Sequence, residues 1–249
     1  MAYLIAGLFL PLFPLSMIHG ALFGRLRNRW LRALLLLLWP QVGVLILARS
    51  GADVPYEILV WALLTALFYA FRALALREAG LWIGFVSISS WAVLWLSAHA
   101  GASAQTLHLQ AFGFSAPLAL LALITGDVER RFGAAYTGLG TGLAQNAPRL
   151  ATLWVVAMVA AMATPVFPGF FTLLGAVANG ASTSLPTTLV VLCTWLLWTW
   201  SGARLIQGLV VGPRASAPVA DLGTPATWAY ALTLGALALA GIVTVGGLS

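Results

Sequence analysis

Few residues in this sequence could carry chemistry, and they lie far apart. The three histidines, His19, His99 and His108, lack the i, i+4 spacing that places two metal ligands on one face of a helix. For each of them the sequence favours a hydrogen-bonding role near a membrane surface over a metal or proton site. We therefore predict no metal site, and no other pattern indicates a cofactor.

A serine cluster, Ser87-Ile88-Ser89-Ser90, lies inside an apolar run. A serine nucleophile needs a general base within hydrogen-bond reach, and the sequence offers no partnered base near it. Hydrogen bonds from Ser87 and Ser89 between packed helices explain these hydroxyls better. We predict no catalytic residues and, at most, a non-catalytic subunit of a translocase complex.

The composition indicates that most of the surface faces lipid. Of the 249 residues, 61% are hydrophobic and 7% are charged, whereas about a quarter of the residues in a soluble domain are charged. All 12 basic residues are arginine, and they form short clusters between apolar runs. The arginines do not form a binding stripe with interleaved aromatic residues, as a nucleic-acid surface would. The predicted partner is therefore the lipid bilayer and not nucleic acid.

The apolar runs predict an all-α, polytopic transmembrane bundle of about eight helices, since a span needs about 20 apolar residues. They cover residues 3–23, 33–48, 57–76, 81–98, 107–125, 149–178, 186–211 and 226–247. The run 149–178 contains Pro165, Pro168 and Gly169, and each proline removes a backbone donor. Because lipid cannot satisfy the freed carbonyls, we predict a discontinuous helix here, packed inside the bundle.

The arginines also predict the orientation of the chain. All but Arg49 of the 12 fall in connections on one side of the predicted bundle. The positive-inside rule places that side in the cytoplasm. An even number of helices then places both termini on the periplasmic side of a bacterial inner membrane.

Ionisable groups are almost absent from the predicted spans. The acidic residues all fall at helix ends or in loops, and the sequence indicates no complete file of titratable groups of the kind that carries protons across a membrane. The residues that remain as candidates for a proton path or an interface are His108, Glu57, Arg149, Ser87 and Ser89.

Four segments, at residues 73–90, 108–118, 140–148 and 165–170, are similar to the patterns ALRE–DLKRLLAYSSIS, HLLNHALFKALLF, LGGLA–MP and GLPGTSGF. In order and spacing they resemble the antiporter-like membrane subunits. That family includes the M, N and L subunits of respiratory complex I, the Mrp sodium/proton antiporters and the membrane subunit of inorganic-carbon uptake complexes.

The resemblance implies buried charged residues that translocate ions, and this chain departs from it there. The lysines of the first two patterns fall on Gly80 and Ala116, and the histidine of the second falls on Phe112. The glutamate that follows the fourth pattern would lie near Leu173. The family has two inverted helical units. The chain is similar to the second, which predicts two N-terminal helices at 1–56, an antiporter-like unit at 57–225 and a C-terminal helix at 226–249.

Three hypotheses follow. The favoured one is an accessory membrane subunit of a proton- or other ion-coupled complex, packed against a larger antiporter-like subunit. The resemblance suggests an inorganic-carbon (CO2 or bicarbonate) uptake complex with a soluble carbonic-anhydrase-like subunit. The second is a subunit that itself conducts protons through Ser, Thr, Gln and water, with His108 or Glu57 taking up the proton. A subunit of an NADH-quinone oxidoreductase or Mrp-type complex is a further alternative of this kind. The third is a small-molecule carrier unrelated to this family.

Overall fold

The computed structural model describes residues 2–51, 53–138, 142–214 and 219–246, and within them the chain is a helical bundle. The helices are α1 (Ala2–Phe9), α2 (Ser16–Arg25), α3 (Arg29–Ser50), α4 (Tyr56–Ala73), α5 (Ala79–His99), α6 (Ala104–Phe132), α7 (Leu143–Asn146), α8 (Pro148–Ala161), α9 (Pro168–Thr183), α10 (Leu185–Val210) and α11 (Thr224–Gly246). Among the described residues, 6 helices are long and apolar enough to cross a membrane: α3, α4, α5, α6, α10 and α11. The predicted all-α membrane bundle is confirmed.

The predicted break near Pro165 and Pro168 is also confirmed. Helix α8 ends at Ala161, and α9 begins at Pro168, where the missing N–H of proline costs no intrahelical hydrogen bond. Between them, Ala163 and Val166 adopt positive φ angles of 54° and 85°. The chain therefore crosses this region as two half-length helices joined by non-helical backbone.

The first span differs from the prediction of one helix over residues 3–23. It consists of α1 and α2, separated by residues 10–15. Pro11 and Pro14 lie in this gap, and each removes a backbone donor that a continuous helix would use. The part of the bundle that the structure describes therefore contains two discontinuous spans, of which the sequence analysis anticipated only the second.

Helices α5 and α6 form the centre of the bundle and are mostly buried. Helix α4 packs on α5, and α3 and α8 pack on α6. Helix α9 contacts α6 and α10, and α11 covers α8 and α9. Both discontinuous spans therefore lie against the central pair or against helices that pack on it.

Two glycines let a neighbouring helix approach each break. A Cβ atom on Gly43 of α3 would lie 2.9 Å from the backbone nitrogen of Leu10, and one on Gly241 of α11 would lie 2.0 Å from the carbonyl oxygen of Val166. Neither position has room for a side chain. The backbones of α3 and α11 therefore contact the two breaks directly.

The arginine-bearing connections meet at one end of the bundle, which we call the arginine-rich end. Arg204 Nη1 donates to the Leu74 carbonyl at 2.8 Å, and Arg131 Nε donates to the Ala220 carbonyl at 3.0 Å. At the opposite end, His99 Nδ1 lies 2.7 Å from the carbonyl of Val54. The grouping of the arginines agrees with the sequence, and their cytoplasmic orientation stays a prediction. Residues 140 and 141, the first two of the segment 140–148, lie outside the described residues.

Candidate functional site

The membrane interior contains four pairs in which a tryptophan indole donates to a hydroxyl group. The pairs are Trp82–Ser201, Trp91–Ser115, Trp198–Ser89 and Trp154–Thr125, with nitrogen–oxygen distances of 2.8 to 3.1 Å. All eight side chains are buried, and each pair joins two helices of the bundle. An indole N–H donates a hydrogen bond but accepts none, so a chain of proton transfers cannot pass through it.

Four further indoles donate to backbone carbonyls at or beside the breaks. The bonds run from Trp39 to Leu8, from Trp61 to Phe13, from Trp95 to Leu10 and from Trp195 to Met162, at 2.7 to 3.2 Å. These carbonyls lack a regular helical partner, and inside a membrane each unsatisfied one costs several kcal/mol. The tryptophans therefore stabilise both non-helical segments. The other three, Trp30, Trp200 and Trp228, are 57% to 63% exposed.

His19 is the titratable side chain that lies deepest in the described bundle. It is fully buried on α2, and neither ring nitrogen has a hydrogen-bond partner among the described residues. Its imidazole is surrounded by the rings of Phe23, Trp39 and Trp91, with centroids 5.8, 5.5 and 4.9 Å away. The predicted hydrogen-bonding role near a membrane surface is wrong for His19. The aromatic rings separate its nitrogens from other polar groups.

His108 forms a reciprocal pair with Gln41 near the end opposite the arginines. Gln41 Nε2 donates to the His108 carbonyl at 3.3 Å, which turns its Oε1 toward His108 Nδ1 at 2.6 Å. Because an amide oxygen only accepts, Nδ1 carries the proton and donates it. The pair holds α3 against α6 and leaves Nε2 of His108 as the nitrogen that could bind another group.

The other candidate residues are spread over the molecule. Glu57 is exposed at the start of α4, and Arg149 is exposed at the arginine-rich end, where its backbone N–H donates to Asp221 at 2.9 Å. The Ser87 hydroxyl donates to Gly84 of its own helix, whereas Ser89 donates to the Ala66 carbonyl on α4 at 2.6 Å.

Within the described residues, no hydrogen bond or ion pair joins any two of the five candidates. The structure therefore does not bring them together into a site. The same residues contain no group of three or more His, Cys, Asp or Glu side chains that could hold a metal ion.

The densest electrostatic cluster lies at the arginine-rich end around Asp127, whose side chain is 4% exposed. Arg29 Nη1 lies 2.5 Å from Asp127 Oδ2, and Arg131 Nη1 lies 3.0 Å from Oδ1. Arg130 also bonds Oδ1, and the Tyr230 hydroxyl donates to Oδ2 at 2.6 Å. One carboxylate thus connects α3, α6 and α11. We call these five residues the Asp127 cluster.

A second ion pair lies beside Gly80, where the sequence resemblance places a lysine. Arg32 Nη1 donates to both carboxylate oxygens of Glu129, at 3.0 and 3.2 Å. A Cβ atom on Gly80 would lie 3.4 Å from each of three atoms, Arg32 Nη1, Glu129 Oε1 and Glu78 Oε1. Helix α3 therefore supplies a cation beside that position, together with two carboxylates from Glu129 and Glu78. Ala116 and Leu173, where the resemblance places the second lysine and the glutamate, are buried and uncharged.

The sequence analysis missed the Asp127 cluster and the tryptophan hydrogen bonds. A signal existed for each. Asp127, Glu129, Arg130 and Arg131 form a run of charges directly after an apolar segment, and the chain has 11 tryptophans, most of them inside apolar runs. Neither signal identifies the partners, because the partners are distant in the sequence. Each indole lies 24 to 119 residues from its hydroxyl, and Arg29 lies 98 residues from Asp127.

Comparison with known proteins shows similarity in sequence and in fold. A family model described as NADH:quinone oxidoreductase/Mrp antiporter, TM matches residues 30–197. An uncharacterized protein of Aquifex aeolicus (strain VF5) is 24% identical over 220 residues, which are 88% of this chain and 89% of that protein. A chain of respiratory complex I from Thermus thermophilus with bound NADH superposes with a TM-score of 0.81 at 22% identity.

A chain of the membrane-bound sulfane sulfur reductase, an archaeal respiratory membrane complex, superposes with a TM-score of 0.83 at 15% identity. Both superpositions cover 97% of this chain, but only 53% and 51% of the respective solved chains. This chain therefore spans about half the length of the solved chains that it matches, and the similarity to them is one of fold.

Proposed function

The chain belongs to the NADH:quinone oxidoreductase/Mrp antiporter transmembrane family, and we propose that it is an accessory, non-conducting membrane subunit of an ion-coupled complex. It would pack against a larger antiporter-like subunit that carries the coupled proton. Membership of this family rules out the third hypothesis, an unrelated small-molecule carrier.

One observation carries the proposal. A proton-conducting subunit needs a file of groups that both donate and accept protons. The described interior of this chain instead contains indole–hydroxyl pairs such as Trp91–Ser115 and Trp198–Ser89. Each pair ends at an indole, which accepts no proton. His19 has no hydrogen-bond partner in the described chain, so it forms no relay with these pairs.

We further propose that the complex takes up inorganic carbon and includes a soluble carbonic-anhydrase-like subunit. The support is the resemblance to the membrane subunit of such complexes. A test is co-purification in mild detergent: a larger antiporter-like subunit and a carbonic-anhydrase-like subunit should accompany this chain. Co-purification with NADH-oxidising subunits instead would favour a complex of the quinone oxidoreductase type.

Proton flux through the reconstituted protein tests the non-conducting role. The chain alone is placed in liposomes with a pH-sensitive dye, and a potassium gradient with valinomycin drives proton entry. We expect the proton flux to be the same as in liposomes without protein. In the assembled complex, single variants His19→Leu, His108→Gln, Glu57→Gln and Arg149→Gln should leave flux and carbon uptake unchanged, provided that assembly is intact.

The second hypothesis makes the opposite prediction in the same assay. If this subunit conducts protons, the chain alone should acidify the liposomes. Flux in the complex should then collapse in at least one of the four variants while the subunits still co-purify. That outcome would overturn the accessory role without affecting the membership of the family.

A further inference from the structure

A cavity of about 530 Å³ lies at the arginine-rich end, between the start of α3 and the end of α6. Its charged lining is formed by Arg27, Arg29, Arg32 and Arg130, opposed by Glu129 alone. It also lies at the N-terminus of α3, where the helix dipole adds positive potential. The cavity is therefore suited to an anion.

The positive charge of this cavity is only partly neutralised by the protein. Arg32 is paired with Glu129, whereas Arg29 and Arg130 share the single carboxylate of Asp127 with Arg131. Arg27 is exposed and has no hydrogen bond or ion pair to the described residues. Its five N–H donors, and much of the Arg130 side chain, which is 60% exposed, are available to a ligand.

An apolar stripe on α3 begins at this cavity. Trp30, at its rim, is 57% exposed, and Leu31, Leu34 and Leu38, which follow along the exposed face of α3, are 50%, 50% and 56% exposed. These residues recur at helical spacing, so they form one face that leads from the arginines toward the middle of the bilayer. Tryptophan is typical of the interface between headgroups and acyl chains.

We propose that this cavity binds the headgroup of an anionic phospholipid, with an acyl chain along Leu31, Leu34 and Leu38. Basic pockets between transmembrane helices bind such headgroups. A free phosphate ion would use the arginines but not the apolar stripe, and the combination of both features points to the lipid. The proposal is independent of whether the chain conducts protons.

The test measures lipid binding to the full chain by native mass spectrometry in mild detergent, with phosphatidylglycerol, cardiolipin and phosphatidylcholine as probes. Each arginine near a membrane surface contributes about 1 kcal/mol to the attraction of an anionic lipid, which is about fivefold in affinity. We expect Arg27→Gln to weaken phosphatidylglycerol binding about fivefold, and the double variant with Arg130→Gln about 25-fold. Arg27 has no partner to lose, so its replacement should leave the fold intact.

The matched control is Arg77→Gln with Arg214→Gln, which removes two charges from the arginine-rich end without touching the cavity lining. This control should bind phosphatidylglycerol with the affinity of the native chain. The binding of phosphatidylcholine should be the same in the native chain and in both double variants. Equal weakening in both double variants would overturn the proposal, because it would indicate general surface attraction. Displacement of the lipid by inorganic phosphate would assign the cavity to a free anion. Loss of the lipid when the complex assembles would assign it to an acidic segment of a partner.

Discussion

The Asp127 cluster gives the sharpest prediction for the stability of the bundle. Replacing Asp127 with alanine removes the one carboxylate that Arg29, Arg131 and Tyr230 share at the junction of α3, α6 and α11. Both arginines lose their counter-charge and the Tyr230 hydroxyl loses its acceptor, whereas Arg131 keeps its bond to the Ala220 carbonyl. We expect a large loss of stability, because the three helices lose a common connection.

The size of the loss follows from the burial of each partner. Removing one member of a buried ion pair costs about 3 to 5 kcal/mol. The side chains of Arg29 and Arg131 are only 18% and 22% exposed, whereas Arg130 is 60% exposed and contributes at most about 1 kcal/mol. Because the cluster lies near the end of the bundle, where water can hydrate the arginines, we expect Asp127→Ala to lower the free energy of unfolding by about 3 kcal/mol.

The assay is reversible unfolding in mixed micelles with increasing dodecyl sulfate, followed by tryptophan fluorescence. Glu129→Ala is the control on the same helix, since it breaks only the pair with Arg32. Arg32 is 12% exposed and keeps its bond to the Leu26 carbonyl at 2.6 Å, so the loss of this one charged partner should cost about 1.5 kcal/mol, less than the loss of a carboxylate that several groups share. In a double-mutant cycle, Arg29→Leu with Asp127→Ala should be less destabilising than the sum of the two single changes. The expected coupling is about 1 to 3 kcal/mol, as for residues in one ion-pair network.

Two results would refute this reasoning. The first is that Asp127→Ala is no more destabilising than Glu129→Ala, which would mean that solvent fully replaces the carboxylate. Alternatively, the effects of Arg29→Leu and Asp127→Ala could be additive, which would mean that the two residues do not act as a unit in the folded protein.

Two further predictions use the same unfolding assay, and a third uses limited proteolysis. His19→Leu should raise the free energy of unfolding by about 1 to 3 kcal/mol, because it removes buried polar atoms that have no partner; a loss would indicate an unrecognised hydrogen bond. Trp95→Phe should lower it by about 1 to 3 kcal/mol, because a carbonyl at the first break loses its donor, and an unchanged value would contradict this role. Gly241→Leu should displace α11 and raise its protease sensitivity, because the new Cβ would lie 2.0 Å from the Val166 carbonyl oxygen, whereas Gly235→Leu, which meets open space, should not.

The sequence determined the class of fold and one of its breaks. Lipid accepts only segments that satisfy their own backbone hydrogen bonds, so runs of apolar residues predict helices without knowledge of their neighbours. Pro165 and Pro168 act on the backbone of their own segment, and the break at that position could be predicted for the same reason. Pro11 and Pro14 carried an equivalent local signal for the first break, which the sequence analysis did not use.

The candidate site was less accessible to sequence reasoning. Spacing alone placed His108 near a helix end, but its partner Gln41 is 67 residues away. The absence of lysine at Gly80 was visible in the sequence, whereas the guanidinium of Arg32 beside it depends on how α3 packs against α6 and how α6 packs against α5. In the same way, His19 looked like a residue near a membrane surface until three aromatic rings from α2, α3 and α5 enclosed it.

The sequence by itself thus determined that this is a membrane bundle with arginines at one end and no lysine to carry ions. Only the tertiary structure decided which carbonyls the tryptophans bond and which arginines share Asp127. The physical reason is range: hydrophobic periodicity and proline act within one helical turn, whereas these hydrogen bonds join helices whose contacts depend on the packing of the whole bundle.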